Sequence, residues 1–289
     1  MDKELKVVGV DLGGTKVNAG LVIGSSVRKS FKSILSFNDT STSVDVVISN
    51  ISDAIGRVFE DGVEGIGIGV PSIVNRKEGT IYDAQNITSW KEVALGPILQ
   101  KKFGVPVFLD NDANCFAIGE RFYGKGQKYE NFVGLTIGTG LGGGIINGGY
   151  LLKDENCMSG EFGELYYLDS KAEDYCSGHF FREKYHLDGA DLYKNAENGD
   201  KEALKIFAEF GYHLGRVIKM IITSIDPQAI VIGGSIVGSR KFFETSMRAE
   251  IKKFTYARAS EKLIIEFSEN AVDAPVLGAA AVCMNNLKL

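Results

Sequence analysis

The sequence predicts an α/β protein made of two related lobes, and two observations lead to this prediction. Apolar strand segments alternate along the chain with segments of helical periodicity, which is typical of α/β proteins. Each half of the chain also opens with an apolar hairpin whose turn is rich in glycine, VVGVDLGGTKVNAGLV at 7–22 and NFVGLTIGTGLGGGIINGGY at 131–150. Because the same plan occurs twice, we interpret the chain as an internal duplication.

The other elements of each half follow its hairpin. The strands of the first hairpin are predicted over 5–11 and 17–23. Hydrophobic spacing then predicts a helix over 43–61, a buried strand over 65–72, a short helix over 96–104, a strand over 105–114 and a helix through 115–121. In the second half it predicts a long amphipathic helix over 201–225 and a buried strand over 229–235.

The boundary between the lobes is predicted just after Asn111 and Asp112, at the end of a strand. The small-residue segment APVLGAAAVCMNN at 274–286 predicts a helix that packs back onto the first lobe. We therefore expect an N-terminal lobe of residues 1–113, completed by 274–289, and a C-terminal lobe of residues 114–273.

Charge and composition argue against two kinds of partner. The net charge of −5 disfavours a nucleic-acid surface, since neutralising phosphates requires a basic face. No apolar stretch is long enough for a signal peptide or a membrane span, so no membrane partner is expected. The four cysteines form no CxxC pair, which predicts reduced, mostly buried thiols in a cytoplasmic protein: Cys115, Cys157, Cys176 and Cys283.

The turn of the first hairpin, DLGGTK, carries the residues of a phosphate site. Gly13 and Gly14 allow the backbone to approach a ligand and to point its N–H groups at phosphate oxygens. Thr15 adds a hydroxyl group and Lys16 a cation. Asp11 precedes the turn and can hold Mg²⁺, through water because this ion keeps much of its hydration.

The turn of the second hairpin, IGTGLGGG, contains no charged residue. We expect Gly138, Thr139 and Gly140 to bind phosphate through backbone amides and the threonine hydroxyl alone. Either turn could simply close a hairpin, but two such turns followed by IGGS after a third strand favour a nucleotide site. Neither turn fits the GxxxxGK[ST] or the GxGxxG pattern, so the architecture of the site is a different one.

Six motifs, in this order, resemble those of the ROK family: DLGGTK, DNDAN, IGTGLGGG, the ExG element of GEFGE, DPQAIVIGG and DAPVLGAAA. This family comprises bacterial sugar kinases and related repressors. The resemblance implies a two-lobed actin-like ATPase (ribonuclease H-like) fold with duplicated lobes around a central cleft, ATP and Mg²⁺ as cofactors, and phosphorylation of a sugar hydroxyl. The family's repressors carry an N-terminal helix-turn-helix, whereas this chain starts only a few residues before its first strand, so we expect a kinase.

Phosphoryl transfer to a sugar requires a base that accepts the hydroxyl proton, and LDNDAN offers two carboxylates at a strand end. The resemblance implies that Asp112 is the catalytic base and that Asn111 hydrogen-bonds the sugar. Asp110 then supports the turn. The alternative for Asp112 is an N-cap of the helix that follows it.

The resemblance also implies the remaining ligand contacts. Asn86, Glu161 and Glu173 match sugar-contacting positions, and Glu164 stands where the family has histidine. Glu164 either faces outwards, or accepts a sugar hydroxyl differently, or helps to select an amino sugar. The adenosine is expected to lie against three residues after the last buried strand: Gly233, Gly234 and Ser235.

The family's zinc motif, CxCGxxGC, is absent, because residues 165–171 read LYYLDSK. We therefore expect no zinc. Without a cation, Glu161, Glu164, Glu173 and Asp112 would raise one another's pKa if they met in one small pocket.

These observations favour a glucokinase-like enzyme that phosphorylates the 6-hydroxyl of a hexose, a small-molecule sugar. An N-acetylmannosamine or other amino-sugar kinase is one alternative, and a non-catalytic, sugar-sensing protein is the other. The resemblance further implies a homo-oligomer, with a dimer as the expected form.

Overall fold

The computed structural model describes residues 5–13, 16–34, 43–84, 87, 89–155, 157–269 and 273–287. The strands within these ranges are β1 (Lys6–Leu12), β2 (Lys16–Ile23), β3 (Ser26–Ile34), β4 (Gly65–Val70), β5 (Ile73–Asn75), β6 (Thr80–Tyr82), β7 (Glu92–Val93), β8 (Val107–Asn111), β9 (Phe132–Ile137), β10 (Leu141–Asn147), β11 (Tyr150–Leu151), β12 (Tyr166–Tyr167), β13 (Ser170–Lys171), β14 (Ala229–Gly233) and β15 (Ile264–Phe267). The α-helices are α1 (Val44–Val58), α2 (Leu95–Phe103), α3 (Asp112–Tyr123), α4 (Ala172–Cys176), α5 (Gly189–Glu197), α6 (Lys201–Ile225), α7 (Arg240–Ile251), α8 (Ala257–Lys262) and α9 (Ala274–Leu287).

Two five-stranded sheets repeat one topology. Their orders are β3-β2-β1-β4-β8 and β11-β10-β9-β14-β15. In each sheet the first long strand pairs antiparallel with its hairpin partner and parallel with the next buried strand, as β1 does with β2 and β4, and β9 with β10 and β14. The two sheets confirm the α/β fold with duplicated lobes that the two glycine-turn hairpins predict.

The chain folds into two units, one around each large sheet. The first contains Met1–Gln127, Tyr150–Ser159 and Ala271–Leu289, and the second contains Lys128–Gly149 and Gly160–Asn270. The division falls later than the expected boundary after residue 113, because that position lies inside α3 and α3 packs against α9. No local pattern in the sequence indicates that the segment from Tyr150 to Ser159 joins the first unit.

The first unit is a three-layer sandwich with helices on both faces of its sheet. Alternation along β1 sends Val8 and Val10 into a core shared with α1 and α2, whereas Val7 faces α9. The helices α1, α2, α6 and α9 are all confirmed to within three residues of their predicted ends. The strand β3 was not predicted, because its sequence SVRKSFKSI is mostly exposed and polar.

The second unit is built around α6, the 25-residue helix predicted over the same residues. Two glycines on α6 allow α7 to approach closely, since a Cβ on Gly211 would lie 2.3 Å from Phe243 O and one on Gly215 would lie 2.7 Å from Met247 O. The four cysteines are free and buried, as the sequence predicts. In the described part of the chain, no helix is both long enough and apolar enough to cross a membrane.

Candidate functional site

In the first unit, the predicted site residues gather at the carboxyl ends of the parallel strands. The register aligns Asp11 of β1 with Gly69 of β4, and Gly69 with Asp110 of β8. Asp112 follows directly as the first residue of α3. The sheet therefore brings the candidate metal ligand Asp11 to the same edge as the candidate base.

The β1–β2 turn closes through the N–H of Gly13, which donates to Lys16 O at 2.9 Å. Lys16 is exposed where β2 begins, and Asp11 Oδ2 accepts from Asn18 Nδ2 at 2.9 Å. Three predicted ligand residues, Gly14, Thr15 and Asn86, lie outside the described residues.

Asn111, and not Asp112, caps α3. Its Oδ1 accepts the N–H of Ala113 at 2.8 Å, and its Nδ2 donates to Ser72 O at 3.4 Å. The structure thus corrects the capping alternative that the sequence left open for Asp112. Because Asn111 accepts the N–H of Ala113, the Asp112 carboxylate is not needed as the N-cap and can serve another role.

The Asp112 side chain is open to solvent, yet its charged form is poorly solvated. Desolvation by the surrounding protein raises the pKa of its carboxyl to about 6, and the negative charge of Asp11 adds to the increase. Backbone N–H groups oppose the shift, that of Ala113 most strongly. A reachable carboxylate with a pKa of about 6 suits proton abstraction near neutral pH.

A buried ion pair that the sequence did not reveal holds the strand just before Asp112. Asp110, 2% exposed, accepts from Arg76 Nε at 2.8 Å and from Arg76 Nη2 at 3.0 Å. Its Oδ1 also accepts from Asn114 Nδ2 at 2.8 Å, and Arg76 pairs with Asp154 through Nη1. Burial raises the pKa of Asp110 and the guanidinium opposes that increase. Asp110 therefore has a supporting role, since Arg76 links it to Asp154.

Replacing Arg76 by methionine is expected to lower the free energy of unfolding by about 2 kcal/mol, because Asp110 would keep a buried charge without its cation. The hydrogen bond from Asn114 limits the loss. Urea unfolding measures the difference. Lys91→Met is the control, because Lys91 lies 4.0 Å from Asp83 and both side chains are exposed. An equal effect of both substitutions would contradict this account.

In the second unit, the β9–β10 turn borders a cavity of about 610 Å³. Gly138, Thr139 and Ser235 all line it, and a Cβ on Gly138 would lie 3.6 Å from Ser235 Oγ. A Cβ on Gly234 would lie 2.2 Å from Ile137 O, and its φ of +87° favours glycine, so this residue lets the two loops meet. The structure therefore brings the second predicted phosphate turn and the predicted adenosine residue Ser235 together. Gly233 ends β14 without lining this cavity.

Glu173, predicted to contact the sugar, is bound to the second glycine turn. Its Oε2 accepts the N–H of Leu141 at 3.0 Å, and a Cβ on Gly140 would come within 2.5 Å of the same oxygen. A Cβ on Gly163 of the ExG element would lie 2.4 Å from Leu141 O. The predicted sugar-binding element and the predicted phosphate turn are thus in direct contact within this unit.

Lys171 compensates two carboxylates of the expected acidic cluster. Its Nζ lies 2.7 Å from Glu164 Oε1 and 3.4 Å from Glu173 Oε1. Glu164 is exposed and Glu161 is half-buried immediately before a short 3₁₀ helix. The short β12–β13 hairpin supplies this cation, which the pattern of carboxylates in the sequence did not reveal.

At the edge of the first sheet, the residues fit a magnesium ion that is held partly by the phosphate oxygens of a bound ligand. Such ions are held by one or two carboxylates, water and phosphate oxygens. Asp11 is half-buried and forms no ion pair with any lysine or arginine that the structure describes. No group of three or more His, Cys, Asp or Glu side chains among the described residues could hold a metal by itself.

Known proteins resemble this chain in sequence over most of its length. The family model described as "ROK family" matches residues 7–286. A glucokinase from Thermotoga maritima is 30% identical, over 96% of this chain and 97% of that protein. The xylose repressor of Bacillus subtilis is 26% identical, over 96% of this chain and 77% of the repressor.

A solved structure shares the fold. The ROK family glucokinase from Streptomyces griseus, in complex with glucose and AMPPNP, matches with a TM-score of 0.78 and 25% identity. The match covers 95% of this chain and 98% of the glucokinase. This likeness and the two repeated sheets identify the fold as the two-lobed actin-like one.

Proposed function

The chain belongs to the ROK family, and on that premise we propose that it is an ATP-dependent sugar kinase that phosphorylates a hexose hydroxyl. The observation that carries this proposal is Asp112, an accessible carboxylate at a strand end whose pKa is raised to about 6. A repressor needs sugar binding but no base, so this tuned carboxylate favours catalysis.

In the proposed mechanism, the oxygen of the sugar hydroxyl forms a bond to the γ-phosphorus of ATP, and Asp112 accepts the proton of that hydroxyl. The bond between that phosphorus and the β–γ bridging oxygen breaks, and ADP leaves with the electron pair. Asn111, fixed as the cap of α3, orients a neighbouring sugar hydroxyl. Mg²⁺ held near Asp11 would neutralise charge on the phosphate oxygens.

The nucleotide is proposed to occupy the cavity of the second unit. Its volume of about 610 Å³ is sufficient for a nucleotide. The N–H of Gly138 already donates to Gly140 O at 3.0 Å, so the N–H and hydroxyl of Thr139 would bind phosphate oxygens, and Ser235 would lie against adenosine.

For the substrate, we propose glucose or a close relative, phosphorylated at the 6-hydroxyl. The glucokinase relatives support this choice. The amino-sugar alternative relied on an uncompensated acidic pocket, and Lys171 neutralises part of that charge through Glu164 and Glu173. We also propose that the protein acts in the cytoplasm and assembles as a dimer.

A substrate panel tests this function. The purified chain is incubated with ATP and Mg²⁺ and with glucose, mannose, N-acetylglucosamine or N-acetylmannosamine at equal concentrations. ADP release is followed by a coupled assay, and the phosphorylated position is assigned by ³¹P NMR. The highest kcat/KM is expected for glucose. No turnover with any sugar, together with tight sugar binding, would support the sensing protein suggested by the xylose repressor.

The kinase activity is expected to fall as the pH is lowered through about 6. A base must be deprotonated, and the raised pKa of Asp112 means that protonation begins close to neutral pH. The measurement is kcat/KM for the sugar from pH 5 to 8 at saturating MgATP, with circular dichroism at each pH as a control for folding. A flat profile down to pH 5 with an intact fold would contradict the assignment of Asp112.

A further inference from the structure

A single π-helical turn, Phe180–Lys184, follows α4 and borders the cavity of the second unit. Such turns change which side chains face outwards and are frequent at functional sites. Here Phe180 and Phe181 are buried, while Arg182 is exposed and lines the cavity together with Phe181. The π turn therefore directs a cation towards the cavity and keeps the neighbouring aromatic rings in the core.

Arg182 lies beside the second glycine turn. A Cβ on Gly178 would be 3.5 Å from Arg182 Nη1, 3.6 Å from Thr139 Cα and 3.0 Å from Gly138 O. The N–H of Gly178 also donates to Gly138 O at 2.8 Å. The guanidinium and the turn thus border the same small space, which is open because residue 178 has no side chain.

The other charged side chains of the cavity already have partners. Asp188 caps α5 and accepts the N–H of Ala190 at 2.8 Å. Lys194 pairs with Asp191 at 3.0 Å. Arg182, in contrast, forms no side-chain hydrogen bond or ion pair with any residue in the described ranges. Among the described residues, the cavity therefore presents one unpaired guanidinium, and it lies next to the second glycine turn.

We propose that Arg182 binds the phosphate chain of the nucleotide and supplies, at the second glycine turn, the positive charge that the turn itself lacks. This inference rests on the proposed function, because it assumes that a nucleotide occupies the cavity. A guanidinium donates two parallel hydrogen bonds to phosphate oxygens, and such charge-assisted bonds are short and strong. Without Arg182, the backbone amides would leave the negative charge of the phosphates uncompensated.

Calorimetric titration of the full chain with AMPPNP, ADP and adenosine, all with Mg²⁺, tests the inference. Arg182→Gln is expected to weaken AMPPNP and ADP binding by about tenfold or more and to leave adenosine binding unchanged. Arg182→Lys should recover part of the loss, because it keeps the charge but not the fork. The control is Arg258→Gln, an exposed arginine in α8 of the same unit.

The comparison between ligands separates a phosphate contact from a structural role. Equal weakening of adenosine and AMPPNP would show that Arg182 only shapes the cavity and would overturn the inference. AMPPNP binding of Arg182→Gln at the wild-type level would also overturn it, while leaving the proposed kinase intact. A wild-type chain that binds none of the three ligands would reject both proposals.

Discussion

Replacing Asp112 by asparagine is expected to lower kcat for the phosphorylated sugar by about 10²–10⁴-fold, the usual contribution of a general base. The amide is nearly the same size and cannot accept the proton. Nucleotide affinity should be unchanged, because the cavity at Gly138 and Ser235 belongs to the other unit. A coupled assay measures the rate, and titration with AMPPNP measures the binding.

The stability of the same variant provides an independent check. A carboxyl whose pKa is raised in the folded state destabilises the fold when it is ionised, so stability falls as the pH rises from the unfolded pKa towards 6. Asp112→Asn should therefore melt at the same or a higher temperature at pH 7 while losing activity.

Asp53→Asn, on the exposed face of α1, is the matched control and should change neither kcat nor the melting temperature. Near-normal turnover in Asp112→Asn would remove Asp112 from the mechanism.

Replacing Gly67 by alanine is expected to lower the free energy of unfolding by about 3–5 kcal/mol. Gly67 pairs in register with Gly9 in the centre of the first sheet, directly beneath α9. The added Cβ would lie 1.9 Å from Ala279 O, and both atoms belong to rigid elements. The helix must therefore move off the sheet, and this movement also exposes the buried thiol of Cys283.

Urea unfolding measures the loss of stability, and the rate of thiol labelling at Cys283 reports on α9 itself. Gly56→Ala is the control, because Gly56 lies within α1 with open space around its Cβ position. Alanine is a better helix former than glycine, so this variant should gain about 0.5–1 kcal/mol. A change of the same sign and size in both variants would mean that helix propensity, and not contact with α9, decides the effect.

The fold was predictable wherever local patterns decide it. The apolar face of α6 and the two glycine-turn hairpins specify their own elements, and the observed ends agree closely with the predicted ones. The strand β3 was not predicted because it is an exposed edge strand, and its polar residues produce no alternation of apolar positions. The boundary between the units was misplaced because the packing of α3 on α9 joins segments more than a hundred residues apart.

The sequence offers candidate site residues but does not reveal which side chains they pair with. The glycine-turn motif DLGGTK pointed to Asp11, and the strand-end motif LDNDAN with the ROK resemblance pointed to Asp112. Arg76 and Asp110 are 34 residues apart, and no local pattern announces their pair. The position of Arg182 at the cavity was not predicted, because ordinary helical spacing does not reveal a π turn.

The return of α9 to the first sheet has a consequence for protein synthesis. The ribosome completes residues 128–149 and 160–270 before it makes α9, although α9 packs on the sheet formed by the earliest strands, against β1, β2, β4 and β8. Until α9 is made, the apolar face that it covers stays exposed on the nascent first unit. The second unit can therefore reach its native state before the first unit does. Chaperone demand during translation is then expected to centre on the segment made first.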